Sequence, residues 1–330
     1  MQTARLTGWV PIRVYWEQNA PFVDWCYMGK ERFTAPFFSE TVEHCLSNPA
    51  ALLFRRQTPI ETLAEWREAQ PGLPPKGFIF HMSRCGSTLV AQMLAALPRS
   101  IVISEAGPID SVLRAKFHDP SLTDERRASW LEWMVSAMGQ PRAGEEKDFF
   151  IKFDCWHTID LELIHRVFPD VPWIFLYRNP VEVMVSQSKK RSAHIIPGII
   201  GPAHFGLNPV AANQMPPEEY SAIILARICE AALRHRKTGR SMFINYTRLP
   251  EAVWTTILDF FQVGYTPDGL ELMRKAAKFN AKNPTLQFED DRAMKSQKAS
   301  ERLIQATEKW LAPVYERLQS AARSSECFDD

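Results

Sequence analysis

The chain has 330 residues, 45% of them hydrophobic, and 39 Lys and Arg face 38 Asp and Glu for a net charge of +1 at pH 7. That length buries a sizeable core, as one large domain or a domain with an appendage, and the near-zero charge excludes a global pull toward nucleic acid or an anionic membrane, so any anion specificity is local. No run of about 18 apolar residues occurs, nor an apolar segment behind a basic start, so a soluble, cytoplasmic protein is expected. The six cysteines (26, 45, 85, 155, 229 and 327) lie far apart without metal-type pairing.

Residues 1–76 are expected to form a small appendage of short strands and helices. Val10 to Trp16 alternates like a strand, with Phe22 to Met28 as its partner, and Phe38 to Leu46 reads as a short helix ended near Asn48-Pro49. Thr58 to Ala69 reads as another helix, with Thr58 as cap and Pro59 at the first position. Trp9, Trp16 and Trp25 fit core packing, with an acceptor wall as the alternative. QPGLPPK, residues 70–76, is a linker of turn residues. Residues 77–330 then alternate strand and helix, which predicts an α/β domain: three layers, with a parallel sheet flanked by helices.

That domain opens with GFIFHMSRCGSTLVAQMLAAL, Gly77 to Leu97. Gly77 to Met82 is a short apolar strand, Ser83 to Thr88 a small and polar loop, and Leu89, Met93 and Leu97 recur at helical spacing. A helix N-terminus offers N–H groups without intrahelical partners and the positive end of its dipole to an anion. Gly86 lets the backbone come close, Ser87 and Thr88 bring hydroxyls, and Arg84 brings a permanent forked charge. Ser87 stands where a nucleotide triphosphatase loop needs lysine, so the loop suits less charge than a metal-bound triphosphate. Cys85 is read as a small residue that fits, with a nucleophile at the helix start as the alternative.

Ser100 to Ser104 is the next strand and leads to Glu105, placed where a general base can take an acceptor's proton. Asp110 and Arg114, on the helix after Pro108, reach the same cleft or pair with each other at i,i+4. Asp124 to Met138 is an amphipathic helix with Trp130, Trp133 and Met134 on its apolar side. Phe149 to Phe153 is a strand interrupted by Lys152, whose buried charge requires a carboxylate or an anion beside it. His157 is the alternative base, and Ile159 to Phe168 a helix. Trp173 to Tyr177 is a further buried strand, followed by an N-cap at Asn179 and Pro180 at the first helical position. This puts Arg178 at the strand end and Ser186 eight positions on, both able to point over the edge where parallel sheets bind ligands. Residues 192–217, rich in proline, are expected to be a mobile lid with a basic entrance at Lys189, Lys190 and Arg191. Beyond them come helices over Glu219 to His235 and Glu251 to Phe261 with a strand at 241–246 between, then a last helix, Ala299 to Ala321, around Leu303, Trp310, Leu311, Val314 and Leu318 and bent at Pro313. Ser324 to Asp330 is expected to be disordered.

Taken together, these motifs resemble the P-loop-like sulfotransferase family that uses 3'-phosphoadenosine 5'-phosphosulfate (PAPS), over roughly residues 77 to 320. The resemblance implies that Arg84, Cys85, Gly86, Ser87 and Thr88 hold the 5'-phosphosulfate and that Arg178 and Ser186 hold the 3'-phosphate. Tyr246, in FINYTRLPEAV, matches the tyrosine of the family's Y-E-D-L element near the donor, with Thr247 and Arg248 in place of the two acids. It further implies in-line transfer of a sulfuryl group to a hydroxyl or amine of a small-molecule or peptide acceptor, with adenosine 3',5'-bisphosphate (PAP) as product and no metal. Glu105 is then the base, and Lys152 and Arg84 stabilise the oxygens as charge moves to the leaving phosphate. The alternatives are a P-loop kinase-like phosphoryl transferase and a noncatalytic nucleotide-binding scaffold.

Overall fold

The computed structural model describes residues 6–280, 283–287 and 299–326. The expectations that fall on residues 1–5 and 327–330, Cys327 included, lie outside the described residues.

The first strands form their own antiparallel sheet, β1 (Trp9–Glu17), β2 (Ala20–Tyr27) and β3 (Arg56–Pro59), in that order. The β1–β2 hairpin closes between Glu17 and Ala20 through Gln18 (φ +48°) and Asn19 (φ +66°), a two-residue turn whose twist suits a hairpin. Helices α1 (Phe38–Leu46) and α2 (Pro49–Leu53) follow β2, and α3 (Thr62–Ala69) follows β3. The expected helix over Thr58 to Ala69 is therefore shorter: Thr58 pairs with Val23 in the sheet, and its hydroxyl accepts from Trp25 Nε1 at 2.9 Å. An open strand edge drew residues 56–59 into pairing, and Pro59 is tolerated at the end of an edge strand.

The main sheet has five parallel strands in the order β5-β6-β4-β7-β8: β4 (Gly77–His81), β5 (Ser100–Ser104), β6 (Asp148–Lys152), β7 (Trp173–Tyr177) and β8 (Ser241–Asn245). Every residue of β4 to β7 is buried, as expected of a parallel sheet covered on both faces. Helices α4 (Ser87–Ala95), α5 (Gly107–Leu113), α6 (Asp124–Met138), α7 (Leu161–Val167) and α8 (Pro180–Lys189) lie between or after these strands, and α9 (Pro209–Gln214) and α10 (Pro217–Arg234) follow before β8. From β4 the chain crosses toward β5, and from β7 it crosses the other way toward β8. The winding reverses between these neighbours, which opens a crevice at their carboxyl ends. The loop after β4 carries Arg84, and the residue after β7 is Arg178.

The small sheet is tied to this body. Arg32 Nη2 donates to the carbonyls of Ala95 (3.1 Å) and Leu97 (2.7 Å) at the end of α4, and Trp16 stacks on His118 at 4.2 Å. Trp25 is fully buried. Two further expectations change at the C-terminal end. Residues Val253–Ile257 form a π-turn within the expected 251–261 helix, and Trp310 lies on the surface, where its Nε1 donates to Glu219 Oε1 at 3.0 Å. Thr307–Leu311 is also π-helical, which accommodates the N–H that Pro313 lacks. The helix Ala312–Glu326 runs through residues 324–326, expected to be disordered. Residues 192–217 hold short helical turns with Ile195, Phe205 and Ala212 buried. Among the described residues no helix is long and apolar enough to cross a membrane.

Candidate active site

The loop after β4 is held in an uncommon backbone. Ser83 (φ +76°), Arg84 (φ +51°) and Gly86 (φ +86°) are all left-handed, a conformation that costs an ordinary residue about 1–2 kcal/mol. Such strain persists where the surroundings impose it. Here the Ser83 N–H donates to His81 Nδ1 (3.1 Å), Gln187 Nε2 donates to Ser83 Oγ (2.9 Å), and Arg84 Nη2 donates to Lys190 O (2.6 Å). The turn delivers the chain into α4, so that Ser87 and Thr88 line a cavity at the start of that helix. Cys85 is fully buried, its thiol donating to Leu176 O at 3.1 Å, and burial pushes its pKa up to about 12, so it packs within the turn.

A Cβ on Gly86 would lie 2.8 Å from both Leu249 Cδ1 and Tyr246 Cδ2, besides needing the left-handed backbone. Gly86→Ala is therefore expected to lose roughly 1–3 kcal/mol of stability, read by denaturant unfolding, and to deform the cradle so that anion affinity falls with it.

The second motif meets the first across the crevice. Asn179 Oδ1 accepts from the N–H groups of Val181 (3.0 Å) and Glu182 (3.3 Å), fixing the start of α8, and Pro180 occupies its first position. Arg178 is 6% exposed, lies 4.0 Å over the Tyr246 ring and pairs with Glu182 one turn on. Ser186 lines the same cavity, as do Lys190 and Arg191. Arg84, Cys85, Gly86, Ser87, Thr88, Arg178, Ser186 and Tyr246 thus surround one space of about 520 Å³. Arg84 Nε is buried and, among the described residues, has no hydrogen-bond partner: a donor left over for an anion.

The carboxylates lie at the other strand ends. Glu105 (φ +54°) follows β5, and its N–H donates to Lys152 O at 2.8 Å. Its carboxylate pairs with Lys152 Nζ and lies 3.4 Å from His81 Nε2. Burial works to raise the Glu105 pKa, but Lys152 and His81 outweigh it and hold the group well below the usual carboxylate range. Lys152 itself is fully buried, 5.3 Å from the Phe37 ring centroid, with Ser104 Oγ at 3.4 Å; it stands behind Glu105 and does not line the cavity. The structure therefore places it against a carboxylate, one of the two partners its burial demanded. His157, the alternative base, is buried away from the cavity, its Nε2 2.9 Å from Asp110 Oδ1; Asp110 also accepts from Trp156 Nε1 (2.7 Å) and pairs with Arg114 (3.1 Å). These residues form a structural network.

Several lining residues were not singled out from the sequence. Phe37 reaches the cavity from the segment between β2 and α1, in place of the three tryptophans, none of which lines it. Asp154, Trp156, Ala193 and His194 also line it. Asp154 sits just past the end of β6, so the strand-end rule that singled out Glu105 after β5 applies equally to it. Among the described residues no group of three or more His, Cys, Asp or Glu side chains is arranged to hold a metal ion.

No curated protein matches. Among solved structures, the chain is similar to the sulfotransferase domain of the Synechococcus PCC 7002 olefin synthase (18% identity, 73% of this chain and 95% of that one, TM-score 0.42). It is also similar to sulfotransferase STF9 from Mycobacterium avium (12%, 76% and 80%, TM-score 0.46) and to the sulfotransferase domain from the curacin biosynthetic pathway (17%, 77% and 98%, TM-score 0.44). The model of the sulfotransferase family matches residues 75–267, a span that runs from the start of β4 past β8 and takes in Arg84, Arg178 and both strand-end carboxylates. By that match over more than half its length, the chain belongs to the sulfotransferase family.

Proposed function

We propose that the protein is a PAPS-dependent sulfotransferase that moves a sulfuryl group to a hydroxyl or amine acceptor without a metal. One observation carries this reading: Arg84 and Arg178, far apart in sequence, open into a single cavity at the reversal of the sheet's winding, so that one molecule with an anion at each end can bridge them. The cradle fits such a ligand. Gly86 lets the turn pack against Leu249 and Tyr246 where a Cβ would lie 2.8 Å from both, and Arg84 Nε is an unused buried donor. When bound, the donor supplies an activated sulfuryl group on its 5'-phosphate.

The chain's own residues would then divide the work. Arg84, the α4 N-terminus and the hydroxyls of Ser87 and Thr88 hold the 5' end and stabilise charge there, while Arg178, Ser186 and the basic pair Lys190 and Arg191 hold the 3'-phosphate. Tyr246 supports the Arg178 guanidinium as a stacking platform. Glu105 is anchored by Lys152, which keeps a fixed negative charge near the reacting end.

The test is thermal. PAP at 100 times its Kd, in EDTA, should add about 2.7 kcal/mol of stability and raise Tm, whereas ATP with Mg2+ should leave it unchanged. Stabilisation by ATP with Mg2+ and not by PAP would overturn the reading in favour of phosphoryl transfer. Binding of PAP with no transfer from PAPS to any of a broad acceptor panel would instead indicate a scaffold.

A further inference from the structure

We propose that Asp154, rather than Glu105, takes the proton from the acceptor; this deepens the sulfotransferase reading and rests on it. Asp154 stands two residues beyond Lys152, is 7% exposed, and lines the cavity beside Glu105, Cys155 and Trp156. Among the described residues its side chain accepts no hydrogen bond, and its ion-pair contact is a distant one, 3.9 Å from His157 Nδ1. A largely buried carboxylate beside a second one is costly to ionise, so this one either carries a proton or takes one from whatever enters the cavity.

Glu105 is the opposite case. Its Oε1 meets both Lys152 Nζ and His81 Nε2, and a carboxylate so stabilised as an anion is a weak proton acceptor. The charged groups around Asp154 are Glu105 from the end of β5, Lys152 from β6, His157 from the turn after it, and Asp110 from α5. Burial first, then the Glu105 charge, pushes the Asp154 carboxyl up to about 8, with His157 and Lys152 pulling the other way. Two neighbouring carboxyls with proton affinities driven apart is the arrangement that assigns one group to hold charge and the other to move a proton. In the step so assigned, the acceptor's oxygen forms a bond to sulfur while the bond from sulfur to the 5'-phosphate oxygen breaks and PAP leaves with that electron pair. The acceptor's proton passes to the Asp154 carboxylate and from there to solvent before the next turnover.

Asp154→Asn keeps the shape and removes the proton acceptor. PAP affinity should stay within a factor of about two, while PAP formation from PAPS, followed with a panel of phenols, alcohols and amines and with water alone as acceptor, should fall by roughly 100-fold or more. The wild-type rate should climb with pH and level off above about 8; Asp154→Glu should retain part of the activity with a displaced profile. A second measurement needs no acceptor. Because native Asp154 keeps a proton that the unfolded chain has released, the wild type should lose stability relative to Asp154→Asn as pH rises from the ordinary carboxylate range to about 8. Wild-type turnover in Asp154→Asn, or stability curves of the two proteins that run parallel across that range, overturns the proposal. Failure of PAP to bind the wild type would sink the sulfotransferase reading instead, and the stability curves would still report on Asp154.

Discussion

Glu105→Gln is expected to destabilise the protein by about 3–5 kcal/mol, the cost of leaving one member of a buried ion pair without its partner. Lys152 is fully buried within β6, and the described residues that meet its ammonium are Glu105, Ser104 and the Phe37 ring. Neither a hydroxyl nor an aromatic face replaces a carboxylate at that depth. Adding Lys152→Met to Glu105→Gln should recover most of the loss, since it removes the stranded charge and keeps an unbranched side chain of similar length. Urea unfolding of the wild type, the two single variants and the double variant measures the coupling. Additive losses, with no recovery in the double variant, would show that the pair does not act as a unit. The pH dependence carries a definite sign. The folded-state pKa of Glu105 is depressed, so its contribution is complete above the ordinary carboxylate range and is lost as pH falls below it.

Arg178→Met should abolish tight PAP binding while the fold survives. Its guanidinium lies against Tyr246 and pairs with Glu182 at the mouth of the crevice, and a forked contact with a phosphate is the strongest single interaction the cavity offers that end of the ligand. Hydrogen bonds to charged groups contribute about 1.5–3 kcal/mol each, so loss of two predicts a fall in affinity of roughly 100-fold or more by calorimetry. Arg178→Lys should restore little of it, because a lysine ammonium gives neither the planar fork nor the stack on the ring. An unchanged PAP affinity in Arg178→Met would remove the 3'-phosphate from this end of the cavity and with it the proposed orientation of the donor.

The N-terminal segment bears on the same space. Phe37 arrives from residues that carry no motif, yet it covers Lys152 and lines the cavity. The strap at 192–217 contributes through Ser192, Ala193 and His194, and Gln187 and Lys190 bind it to the Ser83–Arg84 turn. Part of the cavity wall is therefore built from the chain's least patterned segments, where periodicity gives no guidance.

What the sequence determined by itself was local and repetitive: the apolar runs of β4 to β7, the Asn179 cap with Pro180 behind it, the small residues that let a loop turn into α4, and hence the positions of Arg84 and Arg178 at two strand ends. Each of these follows from backbone sterics and side-chain period within a window of a few residues. What only the tertiary structure decided was partnership. Thr58 gave up its helix cap for an open strand edge, Trp310 faced solvent despite its helical spacing, Lys152 found Glu105 rather than the cavity, and Asp154 came to line that cavity with His157 Nδ1 3.9 Å away. Desolvation and charge pairing depend on which surfaces meet after folding, and residues distant in the chain supply those surfaces, so no local pattern encodes them.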